Sequence, residues 1–108
     1  MRRGEVWWVE FDPAVGTKIR KTRPGVIVSN DAANRNLSRV VVVPVTSATG
    51  RQYPGEALVT VGGQSSKAMA DQIMAADKKR LKTLLGTLSK ADLLAVEEAI
   101  KVHLALPK

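Results

Sequence analysis

The run RVVVVPVT, Arg39 to Thr46, carries the strongest strand signal in the chain. Pro44 inside it has no N–H to give to a ladder, so it marks an edge, a bulge or the end of regular pairing. Other short strands surround it. GEVWWVEF, Gly4 to Phe11, alternates, with Glu5, Trp7, Val9 and Phe11 on one face and Val6, Trp8 and Glu10 on the other. Asp12-Pro13 stops that strand, and a loop is expected as far as Pro24. GVIVS, Gly25 to Ser29, reads as a short buried strand, and Asn30 to Ser38 as a polar loop. Ser47 to Gly55 is rich in turn residues. EALVTV, Glu56 to Val61, alternates, Gly62-Gly63 makes a turn, and Ser66 to Ala75 is expected to return as an antiparallel partner.

The rest reads as helix. Asp77 to Leu85 suggests one or two helical turns with Asp77 as N-cap, and Gly86 to Leu88 a short strand or connector. Ser89 is the cap of a C-terminal helix, Asp92 takes the acidic position of an S-x-x-D pattern, and Leu93, Val96, Ile100 and Leu104 form the apolar stripe. Pro107 ends it. Five or more short strands followed by one helix, in 108 residues, describe a single domain spanning 1–108. Its class is mainly β (α+β), and its expected shape a partly closed barrel.

Several chemistries find little support. The chain has no cysteine, so it offers no disulfide framework and no thiolate metal site. Its ten acidic residues are dispersed, which argues against a carboxylate metal centre. The single histidine, His103, lies in the terminal helix, so a two-histidine ribonuclease mechanism is excluded and a Ser–His arrangement is poorly supported. No metal and no cofactor are expected. No window approaches the ~20 apolar residues that span a bilayer, and MRRGEVWW is not a signal peptide, so the expected compartment is the cytosol with no membrane partner.

Charge is the remaining signal. The formal net charge is +7, and residues 13–55 hold seven basic groups against one acid, Asp31. Four of the seven, Lys18, Arg20, Lys21 and Arg23, crowd into TKIRKTRPGVIVSN, Thr17 to Asn30. Such a field is either a solvated surface or the footprint of a polyanion partner. Within it Arg23 stands just before Pro24, whose ring biases Arg23 away from helix and launches the guanidinium from a defined place. Thr46-Ser47 ends the next strand. If two adjacent strands bring those ends together, a guanidinium beside a hydroxyl can grip a phosphate oxygen. Spacing alone favours the plainer reading, a surface arginine and a threonine that ends a strand.

In order along the chain stand RGEVWWVEFDP (Arg3 to Pro13), Val15-Gly16, TRPGVIVSN (Thr22 to Asn30), VVVVPVTS (Val40 to Ser47) and ADQI (Ala70 to Ile73). That succession resembles the MazF/PemK toxins of bacterial toxin–antitoxin pairs, over nearly the whole chain. The resemblance implies a small SH3-like barrel of five to seven antiparallel strands with a C-terminal helix, of the CcdB/PemK type, assembled as a homodimer. It implies a metal-independent, sequence-specific endoribonuclease, an mRNA interferase, that cuts single-stranded RNA to leave a 2′,3′-cyclic phosphate and a 5′-hydroxyl. It implies a cognate acidic antitoxin as inhibitor, with operator DNA reached only through that antitoxin. On the family's R-P and P-x-T elements the catalytic residues are Arg23 and Thr46.

The chemistry agrees in kind. Attack by the RNA's own 2′-hydroxyl needs no enzymic nucleophile, and DNA lacks that group. Fixed positive charge and positioning can stabilise the phosphorane. Arginine stays protonated, so Arg23 is assigned electrostatic stabilisation, with proton donation to the leaving 5′-oxygen as a second role. Thr46, with Ser47, would donate to a non-bridging oxygen, and the acceptor of the 2′-proton is unassigned. Lys18, Arg20 and Lys21 would contact flanking phosphates, and Gln72 of ADQI is a candidate to read a base edge. Many members carry glutamate where this chain has Lys18, which leaves the first loop a mainly electrostatic role. Two other functions fit the same features: a non-catalytic nucleic-acid-binding module, and a gyrase poison of the same fold. The second relies on a tryptophan-containing tail, whereas this chain ends HLALPK.

Overall fold

The computed structural model describes residues 1–11 and 21–107. Seven strands run in chain order: β1 (Glu5–Phe11), β2 (Lys21–Ile27), β3 (Arg39–Thr46), β4 (Glu56–Val61), β5 (Gln64–Met69), β6 (Met74–Asp77) and β7 (Leu81–Thr87). Two helices, α1 (Asp31–Asn36) and α2 (Lys90–His103), and two 3-10 turns, Ala70–Gln72 and Lys78–Arg80, complete the order. All the pairings are antiparallel, in the order β4-β5-β3-β2-β1-β7, with β6 also on β3. The expected mainly-β architecture with a C-terminal helix is therefore present. The barrel is only partly closed, in line with the sequence reading: among the described residues no ladder joins β4 to β7, so the sheet curls without sealing.

Four elements differ from the sequence reading, each for a physical reason. β2 begins at Lys21, not Gly25, because β1 supplies ladder partners as far as Phe11 opposite Lys21. Arg23-Pro24 is thus part of a strand. The polar stretch after Ser29 contains the six-residue α1, whose first turn is closed by Asn30 accepting from the Ala33 N–H at 2.8 Å. The return strand divides into β5 and β6 around the turn Ala70–Gln72. Of the helix expected from Asp77, only the 3-10 turn Lys78–Arg80 forms; Asp77 does cap it, accepting from Lys79 N at 2.9 Å. Leu81–Thr87 is instead strand β7, drawn out by pairing with β1.

Helix α2 is capped as read, with Ser89 Oγ accepting from Asp92 N at 3.1 Å. Asp92 does not return the bond as a capping box would; its Oδ2 accepts from Thr60 N on β4 at 2.8 Å and fastens the helix to the sheet. Val96 and Ala99 of α2 are buried, whereas Leu104 lies beyond the helix and is exposed.

Each face of the sheet packs a cluster. Val6, Val26, Val43, Val45, Ala57, Val59 and Ala68 pack against α2. On the other face Val9, Ile27, Val40, Val42, Ala76 and Leu81 form a second cluster covered by Trp7 and Phe11. The alternation read from β1 is what assigns Val6 to the first and Val9 to the second. Gly25 lets β1 and β2 meet there, since a Cβ on it would stand 3.0 Å from Val9 Cγ2. No described helix is long and apolar enough to cross a membrane.

The N-terminus is pinned by carboxylates. Burial acts to raise the Glu5 carboxyl, but hydrogen bonds from Arg2 N (2.9 Å) and Trp7 Nε1 (3.0 Å) outweigh it and hold the group below its ordinary 4.5. The Arg3 N–H (2.8 Å), then the Asn34 amide, hold Asp31 below its ordinary 3.8. A lowered folded value means that each contribution to stability is complete above the unfolded value and fades as pH falls through the folded one. The Glu5→Gln/Asp31→Asn variant should therefore show a flatter decline of Tm from about pH 5 to about pH 3 than the parent, read by calorimetry.

Candidate active site

The site is created where β2 and β3 part. Ile27 faces Val42, Val26 faces Val43, and Gly25 faces Pro44, where the ladder ends. The Val28 N–H donates to Val41 O at 2.9 Å, so residues 41, 43 and 45 turn their backbone groups toward β2. The residue next in register with Val45 is Pro24, which has no N–H to give. Beyond that point β2 stays with β1, while β3 continues onto β5, pairing Val45 with Ala68 and Thr46 with Lys67.

Pro44 interrupts the other side of β3. By the same alternation its missing N–H faces β5 and β6. Thr46 faces Lys67 and Val42 faces Met74, so three extra residues have entered the partner strand, the length of the turn Ala70–Gln72. Two prolines thus break the ladders of β3 on its two sides within one strand end.

A cleft of about 330 Å³ opens at the parting, lined by Trp8, Pro24, Val45, Thr46, Ser47, Val61, Gly62, Gln64, Ser66 and Leu85. Thr46 is half-buried, and its Oγ1 accepts from Ala48 N at 3.2 Å, which leaves its O–H to donate elsewhere. Ser47 is exposed on the rim. Arg23 is half-buried beside Pro24, and continuing the β2–β3 register by two residues sets it opposite Thr46. Among the described residues Arg23 makes no hydrogen bond or ion pair, unlike Arg3, which is held by Glu97 at 2.8 Å. A guanidinium in that state has donors free to pair with an anionic group.

The other sequence candidates fare differently. Lys21 is the first residue of β2, while Lys18 and Arg20 lie outside the described residues. Gln72 is exposed on the 3-10 turn, where its amide contacts the Met69 sulfur at 3.5 Å, and it is not among the cleft residues. Among the described residues no three His, Cys, Asp or Glu side chains group as a metal site would require.

Three cleft residues and one support escaped the sequence reading. Trp8 had been placed on its face by alternation but given no task. Leu85 is the residue added to β7 where the β1 register shifts between Val6 and Trp7, a bulge with no sequence signature. Gln64 begins β5 just after the turn. Lys67, cross-strand from Thr46, is buried; its Nζ lies 3.3 Å from Glu56 Oε1 and donates to Arg51 O at 3.1 Å. Glu56 in turn accepts from Tyr53 N at 2.8 Å, so the pair ties down the Ser47–Gly55 loop that leaves Thr46.

A small curled antiparallel sheet with a C-terminal helix, with Thr46 lining its cleft and Arg23 in register with Thr46 beside it, defines a mainly-β protein. Residues 2–104 match the PemK-like, MazF-like toxin of type II toxin–antitoxin systems, and the chain belongs to that family. It is 44% identical, over 98% of both chains, to endoribonuclease MazF9 of Mycobacterium tuberculosis. Against endoribonuclease MazF of Staphylococcus epidermidis the identity is 30%, covering 98% of this chain and 92% of the other. A solved mycobacterial endoribonuclease in complex with its cognate antitoxin superposes with a TM-score of 0.82 at 29% identity, covering 100% of this chain and 98% of that one.

The Lys67–Glu56 pair has a measurable signature. Lys67→Met strands a carboxylate whose side chain is only 11% exposed and should lower stability by about 3 kcal/mol. Lys67→Met/Glu56→Leu removes both charges and should recover most of that loss in denaturant melts.

Proposed function

We propose that this chain is the toxin of a toxin–antitoxin pair and an endoribonuclease that cuts single-stranded RNA at Arg23 and Thr46. The observation that carries the reading is the parting of β2 and β3, which leaves a half-buried Arg23, without a partner among the described residues, in register with Thr46, itself a cleft residue, in a member of this family. In the reaction the 2′-oxygen attacks the adjacent phosphorus and the bond from phosphorus to the 5′-oxygen breaks. The products are a 2′,3′-cyclic phosphate and a 5′-hydroxyl; the 2′-oxygen gives up a proton and the 5′-oxygen gains one. Arg23 faces the non-bridging oxygens and stabilises the charge that grows on them. Thr46 donates its hydroxyl hydrogen to one of these oxygens, and Ser47 lies next in reach. No step needs a metal ion. Lys18, Arg20 and Lys21 hold flanking phosphates by charge, a contribution that fades with salt.

The same positive field suits a partner of opposite sign. An acidic antitoxin segment laid over the cleft would compete with RNA for Arg23, and two copies of the chain would form one longer RNA groove across a twofold axis. Within the cell the site of action is the cytosol, where mRNA is found.

Purified protein in excess EDTA should cut single-stranded RNA at preferred sites and leave cyclic phosphate ends. Arg23→Ala and Thr46→Ala should each slow single-turnover cleavage at least about 100-fold while RNA is still bound at low salt. Binding without cleavage by the parent protein would favour an inert nucleic-acid-binding module, and cleavage abolished by EDTA would overturn the metal-free mechanism.

A further inference from the structure

The two adjacent tryptophans are used in opposite ways. Trp7 packs on the second cluster and donates its indole N–H to Glu5 Oε1 at 3.0 Å. Trp8 is 37% exposed, lines the cleft, and its indole N–H has no partner among the described residues. Across the cleft stands Gln64, exposed, its side-chain amide equally without a partner among the described residues. Its position is fixed by the two-residue turn Gly62-Gly63, with φ of +56° and +80°, which closes the β4–β5 hairpin at Val61 opposite Gln64. Positive φ at both turn residues is the signature of a tight hairpin turn, and glycine adopts it without strain. Pro24, Val45, Val61 and Leu85 supply apolar walls, and Thr46 shares the same space.

We propose that this cleft receives the nucleobase next to the scissile phosphate, with Trp8 as the stacking platform and Gln64 reading the base edge. The inference rests on the endoribonuclease reading and extends it to base selection. Unpaired bases are recognised by aromatic stacking and by hydrogen bonds to their exposed edges, and an amide can both donate to and accept from such an edge. The volume of about 330 Å³ sits at the small end of ligand clefts, suited to one splayed base and not to a stacked duplex. Gln72, the residue first suggested for base reading, lies on a turn outside these walls.

The test separates stacking from cleavage. Trp7→Phe leaves Trp8 as the sole tryptophan, since the chain has two. Titrating that variant with single-stranded 2′-O-methyl RNA of mixed sequence, which has no free 2′-hydroxyl, should quench Trp8 fluorescence, and an abasic oligonucleotide of equal length should not. Equal responses to both would overturn the stacking assignment, as would the absence of any response to RNA, the outcome expected if the cleft instead holds a protein segment. In cleavage of a random-sequence RNA pool, Trp8→Ala should raise KM about tenfold with kcat little changed, and Trp8→Phe should restore most of it. Gln64→Ala, an exposed substitution, should weaken base preference about tenfold at one position beside the cut and leave the others intact. Unchanged cut-site profiles in active Trp8 and Gln64 variants would overturn this inference alone. A parent protein that quenches with RNA but never cleaves would overturn the endoribonuclease reading and leave the base pocket standing.

Discussion

Two absent hydrogen-bond donors shape the functional end of this molecule. Pro24 cannot donate to Val45, so β2 and β3 separate after Gly25 and Pro44. Pro44 cannot donate on its other side, where the partner strand departs into the turn Ala70–Gln72 and returns as β6. β3 is left with its first half in one ladder system and its last two residues in another. A sheet forced to divide at that point must open between the halves; Pro24, Thr46 and Ser47 line the opening, and Arg23 precedes Pro24 on β2. Backbone chemistry, more than any side-chain contact, sets where the cleft lies.

Arg23 contrasts with three cations whose charges are paired. Arg3 spends its charge on Glu97, Lys101 on Glu98, and Lys67 on Glu56. Two of those pairs do structural work: Arg3 also reaches Val28 O at 3.1 Å, and Lys67 anchors the loop after Thr46. Among the described residues Arg23 has no such obligation. Of the basic residues crowded before Pro24, Arg23 is carried by strand β2, next to the cleft residue Pro24.

Much of this was legible in the chain. β3 ran from Arg39 to Thr46 as read, because consecutive β-branched residues leave little choice, and the two faces of β1 were correct because alternation depends only on the pleat. The Gly62-Gly63 turn and the Ser89 cap were visible because both rest on local backbone demands. The failures were non-local. DKKRLKTLL has helical propensity, yet Leu81 and its successors are held as a strand by β1, a partner about seventy residues away. Residues 21–24 looked like loop because their pairing with Trp8–Phe11 leaves no mark in their own composition. α1 is too short and polar for a periodicity to register. Arg23 and Thr46 are candidates that motif and charge suggest, but Gln64 and Leu85 enter the cleft through a hairpin register and a bulge, and Lys67 gives no sign in sequence of its burial.

The most direct measurement is a structure of the protein bound to single-stranded RNA blocked at its 2′-oxygens. One phosphate should lie between β2 and β3, with the Arg23 guanidinium and Thr46 Oγ1 both within about 3 Å of its non-bridging oxygens. A bound RNA whose phosphates all lie away from that opening, with neither side chain in contact, would contradict the account.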